Sequence, residues 1–308
     1  MSTARTEGDT WDIATSVGAT AVMVASARAA ETAGEQPLIR DEFAQILIDG
    51  PELAELVAKM STTYTADPEL VALHQHMINY QAARTHFFDA YFTAAAAAGI
   101  RQHVILAAGL DSRAYRLDWP AGTVVYEVDQ PKVLEYKAAT LAAHGARPSA
   151  ERREVPADLR YDWPKTLRDN GFDPAKRTAW LAEGLLMFLP GEAEERLFAD
   201  IDALSAPGSR ACIEDFRFDD AAREAYAQRR VKTEELRQRL GDENVFDPGD
   251  LWYTDDERRD PAAWFKARQW RVESRTGRDY LTQVGRSLPE QPNIAATFTA
   301  VFVSAEKP

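Results

Sequence analysis

The stretch over residues 103–129, HVILAAGLDSRAYRLDWPAGTVVYEVD, limits this chain more than any other. An apolar run at 104–108 meets a small-residue turn at Gly109. A polar connection follows, then a second β-rich run at 123–128 that stops on an acid, Asp129. Two strands, with a tight turn after the first and a carboxylate closing the second, form the first half of a nucleotide-type site in a parallel sheet. The pattern predicts that this half-site holds an adenosine cofactor.

The rest of the chain supplies the layers such a sheet needs. An Ala-rich segment at 11–33 reads as a helix ending near Gly34, and a second helical segment at 39–59 is interrupted at Gly50-Pro51. From 68 to 98, Leu70, Leu73, Met77, Tyr80, Arg84, Phe87 and Tyr91 recur at steps of three and four, the period of a helix, with Gly99 as its C-cap. Residues 1–99 therefore read as an N-terminal helical cap integrated with a core at 100–308. In the core, strands at 103–109, 123–129, 151–156, 178–186 and 209–216 alternate with helices that open at Pro131, near Pro164 and after Pro190. The third strand runs on to Asp158-Leu159. Such alternation predicts an α/β protein with a mostly parallel sheet covered on both faces. Residues 217–269 change character. A charged helix at 219–240 gives way to a loop, and Asp260-Pro261 opens another helix by the N-cap and N1 preferences. This segment reads as a substrate-side insertion. The late runs WRVESRT and TFTAVFVSAEK suit a pair of strands added at the sheet edge.

Charge and composition exclude several classes of function. A formal net charge of −13 over 308 residues opposes sequence-independent binding to nucleic acid or to an anionic membrane, since both need clustered Lys and Arg. Cys212 is the single cysteine, so no intramolecular disulfide forms, and its place in SRACIEDF reads as a buried strand position. The five histidines are scattered and no Cys/His spacing resembles a zinc site. No window reaches the apolar length of a membrane span, and the N-terminus does not read as a secretory signal, so a cytoplasmic protein is expected.

Two adenosine cofactors fit the half-site in general form. A dinucleotide brings a pyrophosphate, which calls for G-x-G-x-x-G opening directly into a helix N-terminus. Here the aligned residues are Ala107, Ala108, Gly109, Leu110, Asp111 and Ser112. One of the three glycines is present, and Asp111 would meet a pyrophosphate with like charge. S-adenosyl-L-methionine carries no phosphate, and its charged groups sum to about +1 at neutral pH. Its site needs one close backbone approach, which Gly109 supplies, and carboxylates for its cationic and hydroxyl groups. Asp129 follows Gly109 by 20 positions, the spacing at which an acid ending the second strand accepts ribose hydroxyls. That pair is shared by both cofactor classes. A dinucleotide-dependent oxidoreductase and a non-catalytic S-adenosyl-L-methionine-binding protein therefore stay open as alternatives.

The motifs LAAGLDSRAYRL, YEVDQPKVLEYK, PADLR and WLAEGLLMFLP, in this order and spacing, resemble the leucine carboxyl methyltransferase family, in particular its bacterial, actinobacterial-type branch. The opening RTEGDTWDIATSVGATAVMVASARA and the tail LWYTDDERRDPAAWFKARQW share the likeness, which thus spans nearly the whole chain. The resemblance implies a Rossmann-like fold of the S-adenosyl-L-methionine-dependent methyltransferase type, with seven strands, the last antiparallel. It also implies roles. Gly109 lies under the methionine part of the cofactor and Asp129 accepts the ribose hydroxyls. Asp158 and Leu159 meet the adenine, the latter through its backbone. Glu183 faces the methionine amino end and Arg84 binds the cofactor carboxylate, with Arg28 more loosely aligned as a second basic group. The chain departs from the family pattern at Ala107, where a glycine is usual, and at Phe188, where a tyrosine is common.

Plainer roles stand beside these. Arg84 on its long helix suits an ordinary ion pair, Asp111 and Arg113 suit a local turn and salt bridge, and Asp158 suits a helix N-cap. Phe87, Phe88, Tyr91 and Phe92 read as core. The implied reaction is O-methylation of a carboxylate or hydroxyl on a small-molecule methyl acceptor. No residue declares itself as a catalytic base, no metal is implied, and the oligomeric state is not legible.

Overall fold

The computed structural model describes residues 13–15, 17–65, 68–216, 248–253, 258–289 and 300–308, with isolated positions between 224 and 238. Four helices come first: α1 (Val17–Thr32), α2 (Glu42–Ile48), α3 (Ala54–Thr65) and α4 (Pro68–Ala97). The alternating part follows as β1 (Gln102–Leu106), α5 (Arg113–Arg116), β2 (Val124–Asp129), α6 (Pro131–Ala143), β3 (Glu151–Pro156), α7 (Trp163–Asp169), β4 (Thr178–Ala182), α8 (Gly191–Ala203) and β5 (Arg210–Phe216). The chain closes with α9 (Pro261–Lys266), β6 (Arg271–Thr276), α10 (Gly277–Gln283) and β7 (Ala300–Glu306).

The strands form one seven-stranded sheet in the order β3-β2-β1-β4-β5-β7-β6. Strands β1 to β5 pair in parallel, and β7 runs antiparallel between β5 and β6. The expected Rossmann-like sheet with an antiparallel last strand is therefore present. Strand order reverses between β1 and β4, so their crossovers leave on opposite sides and open a crevice at the carboxyl ends of the strands. The sequence grades from centre to edge in the same order. QHVIL and TAWLA are buried throughout, whereas the edge strands ERREVP and RVESRT are rich in charge and discourage edge-to-edge pairing.

Side chains alternate across the sheet and feed two apolar clusters. On one face Ile105, Val125, Leu181 and Phe302 pack with Tyr80, Phe88 and Phe92 of α4 and with α1, α2 and α6. On the other, Val104, Leu106, Tyr126 and Trp180 pack with Trp163, Leu167, Phe198 and Phe265. Phe87, Phe88, Tyr91 and Phe92 of α4 are core or lie against it, as expected, and Cys212 is buried in β5.

Several boundaries differ from the sequence reading. Strand β1 ends at Leu106 rather than 109, because Ala107 and Gly109 both take positive φ, 53° and 46°. Strand β4 ends at Ala182 rather than 186, with Gly184 at φ 63° just beyond. Left-handed backbone cannot continue a strand. The segment at 39–59 breaks at Gly50-Pro51 as expected, into α2 and α3, but α3 runs on to Thr65. Asp162 rather than Asp158 caps α7, accepting from the Lys165 N–H. Most of the charged segment at 219–240 and its loop lies outside the described residues, and its isolated described positions are helical. Among the described residues no helix is long and apolar enough to cross a membrane, and no His/Cys/Asp/Glu group could hold a metal ion.

Candidate functional site

The sequence-predicted residues gather at the carboxyl ends of β1 to β4. The turn after β1 comes first. Ala107 is left-handed, at a cost of roughly 1–2 kcal/mol for a residue with a Cβ. At Gly109 an added Cβ would lie 3.1 Å from the Cβ of Ala21, so α1 packs directly on the turn. The Gly109 N–H donates to Oδ2 of Asp129 at 2.6 Å, and the Gln130 N–H donates to Oδ1 at 2.6 Å. Asp129 is 9% exposed and has no ion-pair partner among the described residues. Burial raises its pKa despite the two N–H donors.

Buried charges brace this turn from behind. Arg28 donates from Nε to Asp41 at 2.8 Å and from Nη2 to the Leu110 carbonyl at 2.7 Å. It is a strut between the N-terminal helices and the turn. Ser112 donates to the same Asp41 carboxylate at 2.7 Å. Lys137, fully buried, reaches the Asp111 carbonyl at 3.1 Å and Glu127 at 2.8 Å.

At the end of β3, Asp158 accepts from Gln130 Nε2 at 2.9 Å and pairs with Arg160 at 2.7 Å. Burial alone would raise its pKa, but Arg160 outweighs burial and holds the carboxyl below its ordinary range. Gln130 thus ties Asp129 to Asp158. Leu159 is nearly buried in the apolar cluster, and its N–H donates to no group among the described residues.

Beyond β4, Glu183 lies between two arginines. Arg84 Nε donates to its Oε1 at 2.8 Å and Arg113 Nη1 to its Oε2 at 2.7 Å. Arg113 is saturated by acids. It pairs with Asp111 and Asp89 as well, and its own N–H donates to Asp111 Oδ1 at 2.7 Å. The expected local Asp111–Arg113 turn is present, but the arginine also reaches across to β4. Arg84 differs. Its Nε also lies 3.3 Å from Glu214 Oε2, yet neither Nη group has a hydrogen-bond partner among the described residues. These two groups lie over Gly184, where an added Cβ would come within 2.9 Å of Nη2.

Glu214 sits on β5 beside this cluster and is fully buried. It accepts from the Gly184 N–H at 2.7 Å and from the Tyr80 hydroxyl. Burial raises its pKa, with Arg84 opposing. Past Glu214 the surroundings become aromatic. Phe216 lies 6.4 Å from Trp252, which stacks on Tyr226 at 5.4 Å and 24°. Arg258 clips the neighbouring chain in place. It donates to the Leu186 carbonyl at 2.7 Å, Leu189 at 3.0 Å and Tyr253 at 2.8 Å, and pairs with Glu194 at 2.7 Å. Burial pushes the Glu194 carboxyl up to about 7, against the pull of Arg258.

Comparison with known proteins decides the family. The sequence profile described as leucine carboxyl methyltransferase matches residues 21–202. A Mycobacterium ulcerans protein is 55% identical over 313 residues, and a Mycobacterium marinum protein 54% over 312, each alignment covering 99% of both chains. This chain belongs to the leucine carboxyl methyltransferase family. Both relatives are named as S-adenosyl-L-methionine-dependent methyltransferases. A crystal structure described as a methyltransferase from Thermobifida fusca aligns with a TM-score of 0.47 at 18% identity, over 85% of this chain and 92% of that one.

In this methyltransferase, Gly109 and Asp129 share a hydrogen bond, Arg84 and Glu183 share an ion pair, and Asp158, with Leu159 next along the chain, joins Asp129 through Gln130. Sequence reasoning missed Glu214, Tyr80, Gly184, Arg113 and Gln130. A signal existed for Glu214, since an acid inside the apolar run RACIEDF needs a buried partner. Nothing local pointed to Tyr80, which reads as one more core aromatic.

Proposed function

We propose that this methyltransferase transfers the methyl group of S-adenosyl-L-methionine to an oxygen, carboxylate or hydroxyl, of a small molecule. The observation that carries the reading is the pair of Arg84 Nη groups without a partner among the described residues, beside a carboxylate that another arginine already neutralises. A buried guanidinium edge with no acceptor is suited to a ligand carboxylate. Glu183 next to it suits the cofactor ammonium, and Gly109 underlies the methionine chain. Asp129, with lone pairs left after two N–H bonds, suits the ribose hydroxyls. The Leu159 N–H and the Asp158 carboxylate suit the edge of the adenine.

When bound, the cofactor supplies an electrophilic methyl group whose bond to sulfur breaks, with the electron pair kept by sulfur, as the bond to the acceptor oxygen forms. The protein's work is to align the three atoms and exclude water. A carboxylate acceptor is already ionised at neutral pH and needs no base, whereas a hydroxyl must lose a proton. The helices of 1–99 and the insertion at 217–269 build the acceptor side over a core at 100–308. The formal charge of −13 suits a cytoplasmic enzyme without a nucleic-acid partner.

Thermal unfolding with S-adenosyl-L-methionine, S-adenosylhomocysteine or NADH, each added alone, tests the reading. A ligand at about 100 times its Kd stabilises the fold by about 2.7 kcal/mol. Both adenosyl sulfur compounds are expected to raise the Tm. A rise with NADH and none with either of them defeats the proposal in favour of a dinucleotide enzyme.

A further inference from the structure

An ionisable group in the middle of a buried strand needs partners that justify it. Glu214 is unexposed, and three elements of the fold converge on its one carboxyl group. Tyr80 of α4 donates its hydroxyl to Oε1, the Gly184 N–H beyond β4 donates to Oε2 at 2.7 Å, and Arg84 Nε lies 3.3 Å from the same Oε2. The arrangement has a direction. Glu214 and Glu183 both face the Nε edge of Arg84, which leaves the Nη edge turned toward Gly184. Gly184 holds φ 63°, and the absence of a side chain there leaves room for the guanidinium.

The two acids are not equivalent. Glu183 is shared with Arg113 and stands where the cofactor ammonium would draw on it. Glu214 is closed off from solvent, and its partners all belong to the protein, so its geometry does not depend on ligand. Tyr80 holds the oxygen that Gly184 and Arg84 do not use, which stops the carboxyl from rotating.

We propose that Glu214, held by Tyr80, is the positioning residue that aims the two Nη groups of Arg84 at the carboxylate of S-adenosyl-L-methionine. This rests on the assignment of that carboxylate to Arg84. It goes further by naming the group that makes the arginine directional, where Glu183 alone would leave it free to swing with the bound ligand.

Calorimetric titration with two cofactors separates aiming from mere support of the fold. One is S-adenosyl-L-methionine, and the other is its decarboxylated form, which keeps the sulfonium, ammonium and adenosine but offers Arg84 nothing to bind. In the parent protein the intact cofactor should bind more tightly. Arg84→Gln should abolish that preference. Glu214→Gln should weaken the intact cofactor about tenfold and the decarboxylated one less than about twofold. Tyr80→Phe, which keeps the packing, should act in the same direction by about threefold, and it decides the matter if Glu214→Gln does not fold. Equal weakening of both cofactors by these variants, or an unchanged ratio, overturns the inference while leaving Arg84 in its role. An unchanged ratio in Arg84→Gln overturns both.

Discussion

The carboxyl ends of β1 to β4 and the surface beyond β5 are built from different materials. At the strand ends, Arg84, Arg113, Arg116 and Lys137, all buried, interlock with Asp89, Asp111, Glu127 and Glu183, which are buried or nearly so. Beyond β5, among the described residues, Phe216, Trp252 and Tyr226 present rings to one another, and Arg258 gathers backbone carbonyls. The difference has consequences for function. A buried charge network admits few geometries, since each unpaired member is costly, so the proposed cofactor end is preorganised. Aromatic faces and backbone clips are far less demanding of shape. On the proposed reading, the half that binds the cofactor is fixed by buried charge, and the half that faces the acceptor is bounded by aromatic rings and one arginine clip.

The sharpest way to break this contrast is at Asp129. Asp129→Ala removes a carboxylate that orders the Gly109 turn and that the proposed function assigns to the ribose. Cofactor affinity should fall about 100-fold, as expected for two lost charge-assisted bonds. Unchanged affinity by calorimetry would remove the residue from the site. On the other side, Arg258→Met deletes the clip while keeping most of its apolar bulk, and leaves Glu194 without its partner. A stability loss of about 2 kcal/mol in denaturant unfolding should accompany an unaltered Kd for the cofactor. A change in that Kd would mean that the two halves are mechanically one. The smallest effect belongs to Ala107→Gly, which relieves a left-handed alanine in the cofactor turn. A gain of at most about 1 kcal/mol in stability is expected, because the freedom glycine gains in the unfolded chain offsets part of the relief. A loss of stability would show that the methyl group contributes packing worth more than the backbone conformation costs.

The same division governs what could be read in advance. The half-site from β1 to β2 was legible because its parts are close in sequence, Gly109 and Asp129 being 20 residues apart. Its turn was read in outline but not in detail. The strand stops three residues before the expected end, at Leu106, once Ala107 adopts a conformation its neighbours impose. Arg84 and Glu183 were legible as separate family positions. Their pairing spans 99 residues, and Arg113 joins Glu183 across 70, so no local pattern announces either contact. Arg28 was read as a second basic group near the cofactor and proves to be a strut on the Leu110 carbonyl.

By itself, then, the sequence determined the alternation of strands and helices, the apolar faces they present, and the Gly109–Asp129 spacing of the half-site. These follow from periodicity and turn chemistry, which are properties of neighbours along the chain, whereas Asp158, Leu159, Glu183 and Arg84 were singled out only by the resemblance to the family. Only the tertiary structure decided that Tyr80 meets Glu214 across 134 residues, that Glu214 holds Gly184, and that Arg84 keeps one edge without an acceptor among the described residues. The physical reason is that a buried charge has no single preferred partner until folding brings donors and acceptors together, and those contacts arise where α4, β4 and β5 converge.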